Sequence, residues 1–454
     1  MVRRILANFL LAGEGRGAAL SQSRSRSVNR MPFCVLKWVR AKAGERIPLL
    51  WSFLYFFCLL CGYYMLRPVR DEMAIEGGVQ HLPWMMTGTF LTLLVATPLF
   101  GYLSSKLARA QLLLSVYGFF VSHLALFFVV MSSQWHPEWV ARVFFVWLSV
   151  FNLFIVSVFW SFMADLFTPE QGTRLFSVIA AGGSAGAMVG PVLTAGVTYV
   201  LPIPMLMVFA ALWLVVCGVC IYQLDRWSRQ HPHQGLGHGG QSLGGSMWAG
   251  IRLAASSPYL LGICAYLFLL TMSATVLYLE QTALISREIS SPESRTRLFA
   301  GIDLTVNVLT FVTQVWVTNR LMLRFGLGAA LLFLPIVSAL GFLAIGMSHI
   351  LEVFLLFTVM RRVGEYAISK PAREVLFTVV SREEKYKAKN FIDTAVSRGG
   401  DASTGWAVSG IKALGATTGY LAWFLVPVML CWGWIGWFLA RRETGLQREK
   451  ESLH

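Results

Sequence analysis

The sequence predicts an all-α integral membrane protein with about twelve transmembrane helices arranged as two six-helix halves. Composition is the first observation: 56% of the 454 residues are apolar and only 13% are charged, whereas soluble domains carry about a quarter charged residues. The second is a series of apolar runs of about 18 residues or more, each long enough to cross a hydrocarbon core. The third is a polar segment that divides these runs into two sets. Together they exclude a water-soluble globule and predict a lipid bilayer as the protein's surroundings.

Each half contributes six predicted spans. The amino-terminal half, 48–224, contains spans near 48–67, 83–104, 111–131, 139–163, 174–200 and 203–224. The carboxyl-terminal half, 258–440, contains spans near 258–282, 298–320, 327–347, 349–370, 390–412 and 417–440. Between them, residues 225–257 include HPHQGLGHGGQSLGG. Because Gly, Ser and His in this density cannot bury a core, we predict a linker.

The distribution of basic residues predicts the topology. Most of the 38 Lys and Arg residues fall in the amino tail, the even-numbered connections, the linker and the carboxyl tail. Basic residues favour the cytoplasmic side, so we place the tails 1–47 and 441–454 and the linker there. The net charge of +15 therefore reflects membrane topology, and no nucleic-acid partner is expected.

The first 30 residues are rich in Arg and Ser, and Glu14 is their only acid. Three interpretations fit this composition: a disordered basic tail of a bacterial protein, an organellar transit peptide, or sequence upstream of a start at Met31. We favour the first, which predicts the bacterial cytoplasmic membrane as the location, with an organellar membrane as the alternative.

Weak internal repetition accompanies the two halves. Span five begins with Thr-Arg-Leu-Phe at 173–176, span eight begins with the same letters at 296–299, and span eleven begins with Lys-Asn-Phe at 389–391. Each is the middle helix of a three-helix unit. Four such units are how major facilitator transporters are assembled, with the binding site between the halves at mid-membrane. The fold therefore looks major-facilitator-like.

Charged residues at membrane depth are functional candidates because each costs several kcal/mol unless it is paired or hydrated. They form three clusters. The first closes span one and contains Arg67, Arg70 and Asp71. The second lies in and after span ten and contains Arg361, Arg362, Glu365, Tyr366, Lys370, Arg373 and Glu374. The third opens span eleven and contains Asp393, Arg398 and Asp401.

These clusters admit structural and functional interpretations. The first could be an interfacial helix end with snorkelling arginines, and the second an ion pair that locks the bundle. However, Arg361 and Arg362 face only one local acid, Glu365, which leaves positive charge to attract an anion. Guanidinium groups bind phosphate and carboxylate in a bidentate manner, and nearby tyrosines could stack on a planar group. These features predict an anionic solute such as an organic phosphate or a nucleotide.

Two segments resemble the nucleotide exchange (ATP:ADP antiporter) family of plastids and intracellular bacteria. They are FFCLLCGYYMLRPVRDEMAI at 56–75 and EYAISKPAREVLFTVVSREEKYKAKNFIDTAVSRGGD from residue 365. The resemblance implies nucleotide exchange, with charge clamps at Arg70 and Arg373. It also places Tyr366, Glu374, Lys387, Lys389, Asp393 and Arg398 at matching positions. Unlike the family, this chain has arginine rather than lysine at both clamps. In span four, the stretch from Trp147 to Trp160 lacks the acidic residue that the resemblance implies, and Asn152 is its only strongly polar side chain.

The expected function is therefore secondary transport by exchange of an anionic, phosphorylated or nucleotide-like solute. A proton-coupled carrier of another solute, working through Asp303, Asp393 or Glu365, is the alternative, and a non-transporting membrane scaffold is a remote one. No enzyme is expected, because no nucleophile–base pair or metal triad is recognisable. No bound cofactor or metal is implied, and the sequence does not indicate the oligomeric state.

Overall fold

The structure is a computed structural model, and it describes residues 42–106, 109–230, 257–380, 389 and 392–452. The amino tail up to residue 41, most of the predicted linker (231–256) and Lys387 lie outside these residues. The described part is helical throughout and contains twelve successive spans. The predicted all-α membrane fold with two six-helix halves is confirmed.

The first half consists of six helices. They are α1 Arg46–Glu76, α2 Leu82–Lys106, α3 Arg109–Ser132, α4 Pro137–Leu166, α5 Pro169–Val200 and α6 Met205–Gln230. Helix α1 is 31 residues long, so it extends past the predicted end at residue 67. Pro68 lies inside it without ending it, because packing against neighbouring helices holds the segment helical. The charged cluster predicted at a helix end therefore lies within α1.

The second half begins with α7 Pro258–Glu288. The helix Pro292–Thr313 continues through a π-helical turn, Gln314–Thr318, into the helix Asn319–Met347. Gly326 divides that last helix with a φ of 77°, which favours glycine. Residues 292–325 thus form α8 and residues 327–347 form α9.

The last three helices are α10, α11 and α12. The α10 segments are Leu351–Gly364, the π-helical turn Glu365–Ser369 and Lys370–Leu376. The α11 segments are the π-helical turn Ile392–Val396 and Ser397–Ala413, and α12 is Thr418–Ser452. By length and composition alone, nine described helices could cross a membrane. That criterion joins α8 to α9 and omits α10 and α11, which carry two of the three charged clusters.

Helix ends differ from the predicted segment boundaries in three places. Residues 43–47, predicted as part of a disordered tail, are helical. Helix α6 continues to Gln230, inside the predicted linker, and α12 continues to Ser452, through most of the predicted carboxyl tail. In each case a helix extends beyond its apolar stretch into polar sequence.

Close packing of α1 on α5 depends on glycines. A Cβ atom at Gly186 would lie 2.2 Å from the backbone oxygen of Phe57, and one at Gly190 would lie 2.7 Å from that of Cys61. Small residues at four-residue spacing allow such backbone contact between membrane helices. These glycines therefore allow the backbones of α1 and α5 to lie in contact.

Most contacts between the two halves lie along three pairs of helices: α2 with α11, α5 with α8, and α1 with α8. A group of contacts between the halves clusters where α1 ends, and we call this end the floor. There Trp84 stacks edge-on against Trp406, with ring centroids 4.7 Å apart, and Arg297 donates to the carbonyl of Thr198 over 3.0 Å. The floor closes one end of the space between the halves.

Candidate functional site

A cavity of about 900 Å³ lies between the halves above the floor. Its wall is built by α1, α2, α4 and α5 from one half and by α7, α8, α10 and α11 from the other. It extends toward the end where α1 begins, with Phe56, Ala180 and Glu374 in its wall. Its volume falls in the range typical of small-molecule sites.

At the centre of the cavity, two arginines from opposite halves share one carboxylate. The Asp303 Oδ1 atom accepts a hydrogen bond of 2.5 Å from Arg362, and its Oδ2 atom lies 3.6 Å from Nε of Arg67. We call these three residues the central triad. The carboxylate is 1% exposed, whereas Arg67 and Arg362 are 13% and 14% exposed and line the cavity. The guanidinium groups therefore face the cavity and the acid lies behind them.

Arg361 is not part of the central triad, and its partners all lie within the second half. It forms an ion pair of 3.1 Å with Glu365 and donates to Ser273 Oγ and to the carbonyl of Leu270. Glu365 is the one acid that the local sequence offers to Arg361 and Arg362, and it pairs with Arg361, whereas Asp303 of α8 pairs with Arg362. Positive charge is still in excess, but at the central triad, where two arginines face one carboxylate.

Arg70 lies nearer the floor. Its Nε and terminal amino groups lie 3.1 and 2.7 Å from Asp71 Oδ1, which also accepts a 3.1 Å hydrogen bond from the hydroxyl of Tyr278 in α7. Its guanidinium stands over the ring of Phe145 at 5.4 Å. Arg70 thus reaches the cavity wall while its charge is balanced by its neighbour.

The π-helical turn of α10 positions Glu365 and Tyr366. A π-helical turn disturbs the regular hydrogen-bond ladder and occurs often at functional sites. Side chains of the π-helical turn in α8 satisfy two carbonyls here: Gln314 donates to the carbonyl of Tyr366 and Thr318 to that of Ala367, over 3.2 and 2.8 Å. The two distorted turns thus support each other beside the cavity.

The other predicted site residues divide into two groups. Lys370, Glu374 and Arg398 line the cavity, and Arg398 pairs with Asp401 at 3.3 Å. Arg373 and Asp393 instead form an ion pair of 3.2 Å with each other and do not contribute to the cavity wall formed by the described residues. The expected clamp of Arg70 and Arg373 across one cavity is therefore not what the geometry shows. Arg362 takes the position opposite α1 instead.

The sequence did not reveal the ion pair that joins the halves at the floor. Glu72 of α1 accepts hydrogen bonds of 2.8 and 2.6 Å from Arg295 of α8, and both side chains are buried. Arg295 also donates to the carbonyls of Ile289 and Ser290. Arg295 lies outside the predicted spans, where an arginine next to polar residues gives no distinctive signal.

Comparison with known proteins identifies the family. The model of the Major Facilitator Superfamily matches residues 52–360. This chain belongs to the major facilitator superfamily. It is an integral membrane transporter, as the membrane fold and the cavity between the two halves suggested.

Individual relatives within the major facilitator superfamily are distant. The chain is 20% identical to "ADP,ATP carrier protein 1, chloroplastic" of Arabidopsis thaliana, over 88% of this chain and 74% of that protein. It is 19% identical to "ADP,ATP carrier protein 1" of Chlamydia trachomatis serovar D, over 84% of this chain and 85% of that protein. The resemblance to the ATP:ADP antiporter family is thereby confirmed.

Solved structures support the superfamily fold. A bacterial homologue of the iron transporter ferroportin in an inward-facing state aligns with a TM-score of 0.62 at 16% identity, covering 89% of this chain and 99% of that one. The nucleoside transporter NupG aligns with a TM-score of 0.55 at 13% identity, covering 89% of this chain and 99% of that one. At these identities the similarity concerns the fold alone.

Proposed function

We propose that this transporter exchanges anionic, phosphate-bearing solutes across the membrane, and that nucleotides are the class that fits it best. The observation that carries the proposal is the central triad, in which guanidinium groups from the two halves converge on one carboxylate and leave one positive charge in excess. Guanidinium groups match the geometry of phosphate oxygens. An anion could therefore contact both halves at once.

Aromatic side chains support a ligand with a planar part. Tyr63, Tyr64 and Tyr366 line the same cavity as the arginines, and Arg67 stands 5.6 Å from the ring centre of Tyr64. A base could stack on such rings while the phosphates reach the guanidinium groups. The two relatives named ADP,ATP carriers fit this assignment.

Exchange follows from the excess charge. An empty carrier that reorients must enclose the central triad with its uncompensated charge, and enclosing one unpaired charge costs several kcal/mol. Each 1.4 kcal/mol slows that step about tenfold. A bound anion supplies negative charge to the arginines of the cavity, so the loaded carrier is expected to reorient faster than the empty one. We place this exchange in the bacterial cytoplasmic membrane, with both termini on the cytoplasmic side.

The substrate class is tested by uptake into proteoliposomes that contain the purified full-length chain. Labelled ATP is expected to accumulate, and unlabelled ADP and ATP should compete with it. Adenosine, which keeps the base and lacks phosphate, should compete far less. Competition by adenosine at concentrations similar to those of ATP would show that the arginines do not select the substrate.

A further inference from the structure

Asp303 occupies an unusual position for an acid in an anion site. Its carboxylate lies behind the two guanidinium groups, on the side away from the cavity, and is 1% exposed. It is bound tightly to Arg362 at 2.5 Å and more loosely to Arg67 at 3.6 Å. An incoming anion would therefore meet the arginines first, with Asp303 as a fixed negative charge behind them.

Both arginines keep hydrogen-bonding capacity in this arrangement. The side chains of Arg67 and Arg362 are partly exposed and line the cavity. A guanidinium carries five N–H donors, and the carboxylate of Asp303 engages few of them. The remaining donors can bind phosphate oxygens without the loss of either ion pair.

Asp303 also determines the charge at the centre of the cavity. The neighbouring ion pairs, Arg361 with Glu365 and Arg70 with Asp71, each balance to zero. Two arginines and one aspartate leave the central triad with one net positive charge. Neutralising Asp303 would double that charge, and neutralising Arg67 would remove it.

We infer that Asp303 is a specificity-determining residue that sets the charge of the anion preferred by the cavity and positions Arg67 and Arg362 side by side. The inference rests on the proposed transport of phosphate-bearing anions and adds a rule of selection by charge. The fixed carboxylate behind the arginines lowers the positive charge that an anion meets, and so reduces the advantage of a more highly charged anion over a less charged one.

The test compares two probes, inorganic phosphate and pyrophosphate, as competitors of labelled ATP binding to the purified full-length protein at fixed ionic strength and pH 8. Pyrophosphate carries more negative charge. In Asp303→Asn the preference for pyrophosphate over phosphate should rise by about tenfold or more, because one added charge near the ligand acts more strongly on the more charged probe. In Arg67→Gln the same ratio should fall below that of the wild type.

The double variant Asp303→Asn/Arg67→Gln restores a net charge of one, so its ratio should return toward the wild-type value. If Asp303 had only a structural role, the two substitutions would instead weaken the binding of both probes in parallel. Asp303→Glu should keep the wild-type ratio. If Asp303→Asn does not fold, the pyrophosphate-to-phosphate ratios of the other proteins still decide the question. The wild type and the double variant should then have similar ratios, and Arg67→Gln a lower one.

A matched control is Glu280→Gln. Glu280 is also a buried acid in an ion pair, 2.6 Å from Lys412, but it does not line the cavity. Glu280→Gln changes the net charge of the protein by the same amount as Asp303→Asn, and it should leave the preference for pyrophosphate over phosphate unchanged. A ratio that is constant across the triad variants would overturn the inference while leaving anion transport intact. Failure of the wild type to bind ATP or either probe would overturn both.

Discussion

Neutralising Glu72 alone is expected to open the floor. In the closed floor, Glu72 and Arg295 form a buried ion pair between the two halves. Removing one partner leaves the other charge buried and unpaired, which typically costs about 3–5 kcal/mol. If the floor opens, water can hydrate the remaining charge. Glu72→Gln should therefore shift the equilibrium toward the state that is open at this end by about a hundredfold or more.

Distances between spin labels measure this shift. Ser133 and Ala413 are exposed and lie near the floor in opposite halves, so labels at these positions, with the native cysteines replaced, would move apart as the floor opens. The Glu72→Gln/Arg295→Gln variant removes both charges and should recover most of the closed population.

The control for this experiment is another ion pair of the first half. Glu45 pairs with Arg174 at 2.8 Å, but both residues belong to that half. Glu45→Gln should therefore leave the distance between the halves unchanged. If Glu72→Gln gives the wild-type distance distribution, or if Glu45→Gln opens the floor equally, the ion pair of Glu72 and Arg295 does not hold the floor closed.

Replacing Arg362 is expected to abolish most anion binding. The central triad would fall from one net positive charge to zero, and the arginine that the second half presents opposite Arg67 would be lost. A charge at contact distance is worth a few kcal/mol at the effective dielectric of a protein site, so we expect the affinity for labelled ATP to fall about a hundredfold or more in Arg362→Gln.

Arg362→Lys separates charge from geometry. Lysine keeps the positive charge but cannot form the two parallel hydrogen bonds of a guanidinium, so its affinity should lie between those of the wild type and the glutamine variant. Arg229→Gln is the control, because Arg229 is 76% exposed and pairs with Asp225 outside the cavity. Unchanged ATP binding in Arg362→Gln would remove the central triad from the proposed site.

The sequence predicted the fold well because the signal for a membrane helix is local. Apolar runs identified the spans without any knowledge of which helices pack together. Helix ends were harder to predict. Helix α1 continues past Pro68 to Glu76, and the packing that holds it helical comes from residues far away in the chain.

The sequence predicted the charged residues of the candidate site but not their partners. Arg67, Arg70, Arg361 and Arg362 stood out as charges at membrane depth, and all of them line the cavity. Their partners could not be assigned from the sequence. From the sequence, Asp303 was a candidate only for proton coupling, yet folding brings α8 against α1 and α10, where Asp303 lies beside two arginines. Pairs that join distant helices, such as Glu72 with Arg295, leave no local pattern.

The alternative of proton coupling through an acid gains no support from these contacts. Asp303, Glu365 and Asp393 were the candidates, and each forms an ion pair with an arginine. An acid that serves as the counter-ion of an arginine is already occupied in this conformation. Exchange of one anion for another requires no such relay.

The most direct test of the account is the rate of labelled ATP uptake into proteoliposomes with and without unlabelled nucleotide inside, in the absence of a proton gradient. We predict that internal nucleotide stimulates uptake by about tenfold or more, because only the loaded carrier encloses the arginines of the cavity together with an anionic partner. Equal rates in preloaded and empty vesicles would show that the empty carrier returns freely. That result would contradict exchange and favour uniport or symport.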